Sequence, residues 1–200
     1  NYPLGGKLTI IGDTENISLK TLNASGKAKV QIDNGRINLQ EIRVSNGNYQ
    51  AKIAIANVPI QKLASMPPEL KGGLGGQLNI AGSLENLQPE NIQINGVAGI
   101  NIAGGKITAS GIKISKGAYQ AIVSGYGVKL NRINKQLSGE IGGKFQLAGI
   151  LGSAKLADIR AAGEIEFNQI RGGINSPIVA GIYWSGQQLN IAQLKGNNFH

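Results

Sequence analysis

A long internal repeat constrains this 200-residue chain more than any other feature of its sequence. The opening segment 5–12 (GGKLTIIG) recurs as 75–82 (GGQLNIAG) and as 142–149 (GGKFQLAG), so the openings lie 70 and then 67 residues apart. A closing segment, 45–51 (SNGNYQA), recurs 70 residues later as 115–121 (SKGAYQA). A period of this length is typical of supersecondary units that stack on their own copies, so the repeat decides the class of fold.

Three copies are predicted within one continuous repetitive domain, over residues 1–71, 72–138 and 139–200. The third copy is the most degenerate, because the segment 172–184 interrupts it before residues 189–199 restore the close. No linker separates the copies, so we expect seams between repeats and no domain boundary. Since the pattern is already under way at the first residue, we expect the chain to be a middle section of a longer array.

The composition predicts an all-β chain. Thirty residues are glycine, about twice the roughly 7% of average proteins. Isoleucine and valine favour strands, whereas glycine and asparagine supply turns. Ala28, Val30 and Ile32 alternate with polar residues and lead into Asn34-Gly35, the strongest short hairpin signal. Tight connections of this kind along the chain predict roughly fourteen to sixteen short strands in an antiparallel meander.

A shift in the alternation predicts β-bulges. In the first copy the apolar positions change from odd numbers at Leu39 to even numbers at Ile42, and the second copy repeats this shift. A bulge inserts one extra residue and returns the apolar side chains to one face. The shifts predict bulges near Gln40, Ser110 and Ala192.

The segment 58–68 (VPIQKLASMPP) predicts the only helix, of one or two turns. Pro59 suits a first helical turn, and the Pro67-Pro68 pair ends the segment. We expect Ile60, Leu63 and Ala64 to point inward.

The strands pose a packing problem, because each has one apolar face and the chain has no spare helices to cover it. A sequential meander favours one long sheet that curls into an elongated half-pipe, a β-taco-like trough with an apolar interior. At the usual strand spacing the trough would be on the order of 70 Å long. Its short aliphatic lining would suit acyl chains. A tightly closed curl, in which the same residues form an ordinary core, is an equal alternative.

Ten aliphatic residues are predicted to line this groove and to contact acyl chains. They are Ile53, Ile55, Leu78, Ile80, Ile94, Ile100, Ile102, Ile107, Ile112 and Ile114. No residue is expected to carry a reaction.

Several other classes of function are disfavoured. The net charge of +9 comes from lysines and arginines scattered along polar strand faces, with few aromatic residues, so we expect no nucleic-acid partner. His200 is the only histidine and there are no cysteines, so no catalytic triad or His/Cys metal site is predicted. Ser110 and Lys113 match a Ser-x-x-Lys motif whose companion motifs are missing. We therefore expect no enzyme, no metal and no cofactor. No stretch approaches the roughly 20 apolar residues of a membrane-spanning helix.

The repeated sequence pattern resembles that of the TamB family in the AsmA-like superfamily, including its cyanobacterial and chloroplast-envelope members. In this pattern a short Val-Pro-Ile-x-x-Leu linker, at residues 58–63, is followed by a glycine-spaced alternating strand, at residues 72–82. A weaker version runs from Val128 to Gly149. The resemblance covers nearly the whole chain as a pattern and contains no catalytic motif.

The resemblance implies a periplasmic trough that carries phospholipids between the inner and outer membranes and contributes to outer-membrane biogenesis. It also implies an inner-membrane anchor and an Omp85-type outer-membrane partner, both engaged through parts outside this segment. In a plastid relative the anchor would lie in the inner envelope.

Two alternatives remain. One is a scaffold that guides outer-membrane protein assembly by strand-edge pairing. The other is a β-helix surface adhesin, which the period near 70 and the hairpin signal at Asn34-Gly35 disfavour.

Overall fold

A computed structural model describes residues 2–12, 15, 18–62, 71–153, 155–169 and 177–196. These residues form twelve strands in a single open sheet, in which the spatial order of the strands is their order in the chain. The strands are β1 (Leu4–Ile11), β2 (Asn23–Ile32), β3 (Gly35–Ser45), β4 (Asn48–Pro59), β5 (Gly72–Ser83), β6 (Gln93–Ile102), β7 (Gly105–Ser115), β8 (Ala118–Lys129), β9 (Glu140–Ile150), β10 (Ile159–Asn168), β11 (Ile178–Trp184) and β12 (Leu189–Lys195).

All neighbouring strands pair antiparallel, so the predicted all-β antiparallel meander is confirmed. The sheet does not close, because β1 and β12 lie at opposite edges. The described residues hold twelve strands, fewer than the fourteen to sixteen expected. The short helix predicted after β4 is a single 3₁₀ turn, Ile60–Lys62, and Leu63 and Ala64 lie outside the described residues. Three further 3₁₀ turns are Pro89–Asn91, Leu130–Arg132 and Leu156–Asp158.

Two-residue turns join four of the strand pairs, which are β2–β3, β3–β4, β6–β7 and β7–β8. The predicted hairpin is confirmed, but its two turn residues are Asp33 and Asn34, because β2 ends at Ile32 and Gly35 is the first residue of β3. Asn46 and Gly47 both have positive φ, of 50° and 72°, and their counterparts Lys116 and Gly117 have 52° and 71°. Positive φ at both central residues is the turn type whose twist matches that of the flanking strands.

The three predicted bulges are confirmed. The pairing register shifts between Gln40 and Arg43, between Ser110 and Lys113, and opposite the Gly181–Ile182 step, where Ala192 is the extra residue of β12. The bulges of β3 and β7 are 70 residues apart, with positive φ at Glu41 (49°) and Gly111 (57°). In the third copy β11 is the strand equivalent to β3 and β7, but the extra residue lies on its hairpin partner β12.

Two further bulges were not predicted. They lie in β4 and β8, where Asn57 and Gly127 have φ of 50° and 63° and are again 70 residues apart. The signal was present in the sequence, because the apolar positions change from odd at Ile55 to even at Val58.

The predicted interruption of the third copy is wrong for residues 178–184, which form the regular strand β11. The position of the third close also needs correction. Tyr119 lies opposite Ile114 across its hairpin, and Leu189 lies opposite Trp184 in the same way. The third close is therefore the turn at Ser185–Gln188 and the start of β12, so the predicted close at residues 189–199 begins too late in the chain.

The copies are staggered along the sheet. Following cross-strand partners from Gly6 leads through Ala28, Leu39 and Ile53 to Leu78. Leu78 lies two residues past Gly76, the repeat counterpart of Gly6. The second copy repeats the offset, since the same walk from Gly76 ends at Phe145, two residues past Gly143. Two residues over four strands tilt the pairing rows by about 20° at ordinary strand dimensions, so the sheet is sheared in one constant direction.

The sheet has little buried core. Its accessible surface is 13306 Å², against about 9,000 Å² expected for a compact chain of this mass. Substantial contacts join only consecutive strands, together with β5 and the turn after β4. A small core lies at one end of the strands, where Ile60, Ile102, Ala103 and Val128 pack together. Within the described residues, contacts between consecutive strands therefore predominate, and the one buried cluster lies at this end of the strands.

Candidate functional site

The apolar face of the sheet is the candidate site. Directly opposite residues of paired strands point to the same side. Ile53 is opposite Leu78, Ile100 is opposite Ile107, and Ile94 is opposite both Ile80 and Ile114. Because side chains alternate along each strand and the bulges correct the alternation, Ile55, Ile102 and Ile112 share this side. The structure therefore brings all ten predicted groove residues to one face.

Burial divides these ten residues into two groups. Ile102 is only 7% exposed, because it packs in the core beneath the turn that holds Ile60. Its assignment as a groove-lining residue is wrong for this structure, since a buried core side chain has no surface to offer. The other nine are half-buried. They are Ile53, Ile55, Leu78, Ile80, Ile94, Ile100, Ile107, Ile112 and Ile114.

Paired glycines also lie on the apolar face, and sequence analysis missed them. They are Gly6 with Gly26, Gly76 with Gly96, and Gly143 with Gly163, and each pair is separated by 20 residues. Gly96 is opposite Leu78, and Gly76 is opposite Ala98, so each pair lies diagonally across one strand pair. A Cβ at Gly96 would lie 2.1 Å from the carbonyl oxygen of Gln77, at a φ of 147°. Only glycine permits this backbone, and such glycines are sites where strands bend.

Tyrosines cover two other glycines on this face. Tyr49 is opposite Gly82, and Tyr119 is opposite Gly149. A Cβ on either glycine would lie 2.6 or 2.5 Å from the tyrosine hydroxyl oxygen. Each ring therefore lies flat over a neighbouring glycine, where it covers backbone that would otherwise face solvent.

No second layer covers the apolar face within the part of the chain that the structure describes. Substantial contacts between strands involve only sequence neighbours. Ile100 and Ile107 are half-buried partly because they pack against the core that contains Ile60. The nine half-buried aliphatic residues lie on one side of the sheet, on strands β4 to β7.

The opposite face is polar and carries the charge. Lys52 Nζ donates a hydrogen bond to Glu41 Oε1 over 2.7 Å, and this bond lowers the pKa of the exposed Glu41 carboxyl below its ordinary value. Asn79 Nδ2 donates to Asn95 Oδ1 over 2.9 Å across the β5–β6 pair. These contacts join neighbouring strands on the side away from the isoleucines.

Nothing in the described residues assembles a reaction centre. No polar or charged side chain among them is buried, and no group of histidine, cysteine, aspartate and glutamate residues could hold a metal ion. Ser110 and Lys113 lie in β7, where the Ser110 hydroxyl donates to the carbonyl of Ile122.

Comparisons with family models, with curated proteins and with solved structures found no match to this chain. None of the helices described in the structure is long and apolar enough to cross a membrane. The function is therefore argued from the two faces of the sheet.

Proposed function

We propose that the chain is a non-enzymatic segment of a conduit that carries phospholipids along the apolar face of its sheet. The supporting observation is that nine half-buried aliphatic residues of β4–β7 lie on one face of the open sheet, without a covering layer in the described residues. A protein normally buries a face of this kind against another element. Here the occupant would be the acyl chains of lipids.

The mechanism is passive. Acyl chains lie against the isoleucines, and head groups stay near solvent at the open side of a curled sheet. Each methylene kept from water stabilises the complex by about 0.8 kcal/mol, so partial coverage of two acyl chains already lowers the barrier to transfer.

The setting follows from the resemblance to the TamB family. The segment would lie in the periplasm, between an anchor in the inner membrane and an Omp85-type partner in the outer membrane. Both attachments would use parts of the protein outside this segment. In a plastid relative the anchor would lie in the inner envelope of the chloroplast.

A paired set of variants tests the proposal. Ile80→Lys with Ile94→Lys places two charges on the apolar face at cross-strand partners. Asn79→Lys with Asn95→Lys places the same charges one residue away, on the polar face. We expect native mass spectrometry to detect phospholipid on the unchanged chain and on the asparagine variant, and to detect little on the isoleucine variant. Equal lipid on the two variants, or none on the unchanged chain, would contradict the proposal.

Strand-edge pairing in outer-membrane protein assembly is the second candidate, and the two unpaired edges of the sheet favour it. It predicts that the isoleucine variant keeps its activity towards unfolded outer-membrane β-strands, because the backbone edges are intact. The β-helix adhesin is not supported, since β-helix coils pair in parallel and these strands pair antiparallel.

A further inference from the structure

An open cavity of about 640 Å³ lies beside the small core, at the hairpin turn between β6 and β7. Its lining includes four cationic residues and one acidic residue, Glu140, so its net charge is +3. The four cationic residues are Lys71, Lys106, Lys129 and Arg132. Charge of one sign that lines a concave surface attracts ligands of the opposite sign.

The ends of several strands bring these cations together. Lys106 lies in β7 next to Ile107, and alternation therefore places it on the polar face. Lys129 is the last residue of β8, and Arg132 ends the 3₁₀ turn that follows. A Cβ at Gly104 of the hairpin turn would lie 3.4 Å from Lys129 Cδ and 3.6 Å from Arg132 Nη1. Both side chains therefore lie over this turn.

The positive charge of the cavity is poorly compensated. The four cationic residues are exposed, and none of them forms an ion pair within the part of the chain that the structure describes. Glu140 is the cross-strand partner of Lys129, so it offsets part of the charge of one cation. Like charges that are held together destabilise the folded chain, and a bound anion removes that repulsion. An anionic ligand is therefore expected to stabilise this end of the sheet.

The first copy holds a carboxylate at the equivalent turn. Asp33 and Lys62 precede Ala103 and Arg132 by 70 residues, the period of the repeat. Lys62 Nζ lies 3.5 Å from Asp33 Oδ2, so the cation of the first copy has a partner inside the chain. In the second copy alanine removes that partner. The repeat thus keeps the turn and changes its charge.

Two further differences between the copies add hydrogen-bond donors to the cavity. Lys129 occupies the position that Pro59 has in the first copy. Tyr126 occupies the position of Ala56, and its side chain is 83% exposed opposite Lys106. An ammonium group and a phenolic hydroxyl both donate hydrogen bonds, so the second copy alone has this set of donors.

A phosphate group matches the lining of the cavity. Its tetrahedral oxygens accept hydrogen bonds from donors that approach from several directions. Arg132 can donate two parallel bonds to one phosphate, and lysine ammonium groups bind phosphate as point charges. Small-molecule sites have volumes of roughly 300–1,000 Å³, so the cavity admits a phosphate that carries an organic group.

We propose that this cavity binds the phosphate group of a phosphate ester, with Lys106, Lys129 and Arg132 as its donors. A soluble phosphate ester and the head group of a phospholipid both supply this chemistry. The inference goes beyond the proposed function, because the cavity lies on the polar side of the sheet and does not require lipid on the apolar face.

Titration with glycerophosphate, a soluble phosphate monoester, tests the site. The NMR shifts of the amides of Gly104, Gly105 and Gly127, which line the cavity, are expected to change and to saturate. Lys129→Gln with Arg132→Gln is expected to weaken binding by about tenfold, because it removes hydrogen bonds to a charged ligand. Absence of saturating shifts in the unchanged chain would overturn the proposal.

A matched variant controls for net charge. Lys27→Gln with Lys29→Gln removes the same two charges from β2, which lies six strands from β8 in the sheet. Binding is expected to stay within about twofold of that of the unchanged chain at physiological salt, because distant exposed charges are screened. An equal loss in both variants, or equal shifts with potassium chloride at the same ionic strength, would contradict a phosphate site.

The carboxylate of the first copy can be transferred to the second. Ala103 and Asp33 have φ of 49° and 51°, a conformation that aspartate and asparagine tolerate. Ala103→Asp is expected to weaken binding of glycerophosphate, since its carboxylate can pair with Arg132 as Asp33 pairs with Lys62. Ala103→Asn has nearly the same shape without the charge, so it should bind more tightly than Ala103→Asp. Equal binding by these two variants would contradict the role of charge at this turn.

A soluble phospholipid identifies the source of the phosphate. Dihexanoyl phosphatidic acid carries the same phosphate monoester as glycerophosphate, together with two short acyl chains. Tighter binding of the monomeric lipid at the amides that line the cavity would assign the site to head groups, and equal binding would assign it to soluble esters. Either result upholds the site, and binding of neither compound would overturn it. Because glycerophosphate has no acyl chains, its result does not depend on lipid transport along the apolar face.

Discussion

The two ends of β6 show how position changes the role of one residue type. Ile94 and Ile102 lie on the same strand and the same face. Ile102 is buried, because the turn after β4 places Ile60 over it, whereas Ile94 has only its neighbours in the sheet. The covered end of the apolar face is a small core, and the rest of the face, which includes Ile94 and is called the open middle below, is a surface. Stability is therefore expected to concentrate at the covered end, and ligand contact in the open middle.

Truncation of the two isoleucines should give the largest difference. Ile102→Ala is expected to lower the free energy of unfolding by about 2–5 kcal/mol, since it leaves a cavity in a packed core. Ile94→Ala removes a side chain that is half exposed already, so its effect should be about 1 kcal/mol. Urea unfolding followed by circular dichroism measures both. Equal effects would show that the open middle is packed as tightly as the covered end.

Replacement of one glycine by alanine in each region should give the opposite result, with the larger loss of stability in the open middle. Gly96, in the open middle, has a φ of 147°, and its added Cβ would lie 2.1 Å from a carbonyl oxygen. Gly125, nearer the covered end, would place its Cβ 3.9 Å from Ile107, an ordinary contact. Gly96→Ala is expected to destabilise the sheet by about 1–3 kcal/mol. Gly125→Ala should be neutral, or stabilise by up to about 1 kcal/mol through the unfolded chain.

The same urea experiment measures the two glycine variants. A neutral Gly96→Ala would mean that the strands do not need the glycine backbone at this bend.

The polar face behind the open middle should give the smallest effect. Lys52 lowers the pKa of Glu41 through a hydrogen bond and its charge. Because the folded-state pKa is the lower one, the contribution of Glu41 to stability is present above its unfolded pKa and is lost as pH falls through the folded pKa. Lys52→Gln is expected to raise the pKa of Glu41 towards its ordinary value, as measured by NMR titration. Lys113→Gln, farther along the same face, should leave it unchanged.

Much of the fold could be predicted from the sequence because its signals are local. Alternation and turn residues located the hairpin at Asn34-Gly35, and changes of parity located the bulge beside Gln40. The sequence around Asn57 shows the same change of parity, but Pro59 in the same stretch favours a helix, so no bulge is predicted there. In the structure Pro59 is the last residue of β4.

The third copy was harder to predict, because similarity of sequence identifies equivalent residues less reliably than cross-strand pairing does. Residues 189–199 resemble the close in sequence, yet the turn that performs its role lies at Ser185–Gln188. Four residues separate Trp184 from Leu189 there, as four separate Ile114 from Tyr119 in the second copy. Only the pairing of Trp184 with Leu189 reveals this equivalence.

The sequence correctly predicted that the ten aliphatic residues lie on one side of the sheet. It did not predict that Ile102 is buried. Alternation indicates which way Ile102 points. It does not indicate that a turn forty residues earlier in the chain covers it, because that contact is non-local. The glycine pairs were missed for a similar reason: Gly76 and Gly96 acquire meaning only when β5 and β6 lie side by side.

The strictly sequential strand order also has a consequence for how the chain folds. No strand must wait for a distant segment, since each pairs with the strand made just before it and the one made just after. Topologies dominated by local contacts fold faster, and linear arrays can begin folding at any copy and propagate. Such a chain can fold hairpin by hairpin as it emerges from the ribosome, and damage to one hairpin is expected to slow its neighbours while leaving the distant copies able to fold.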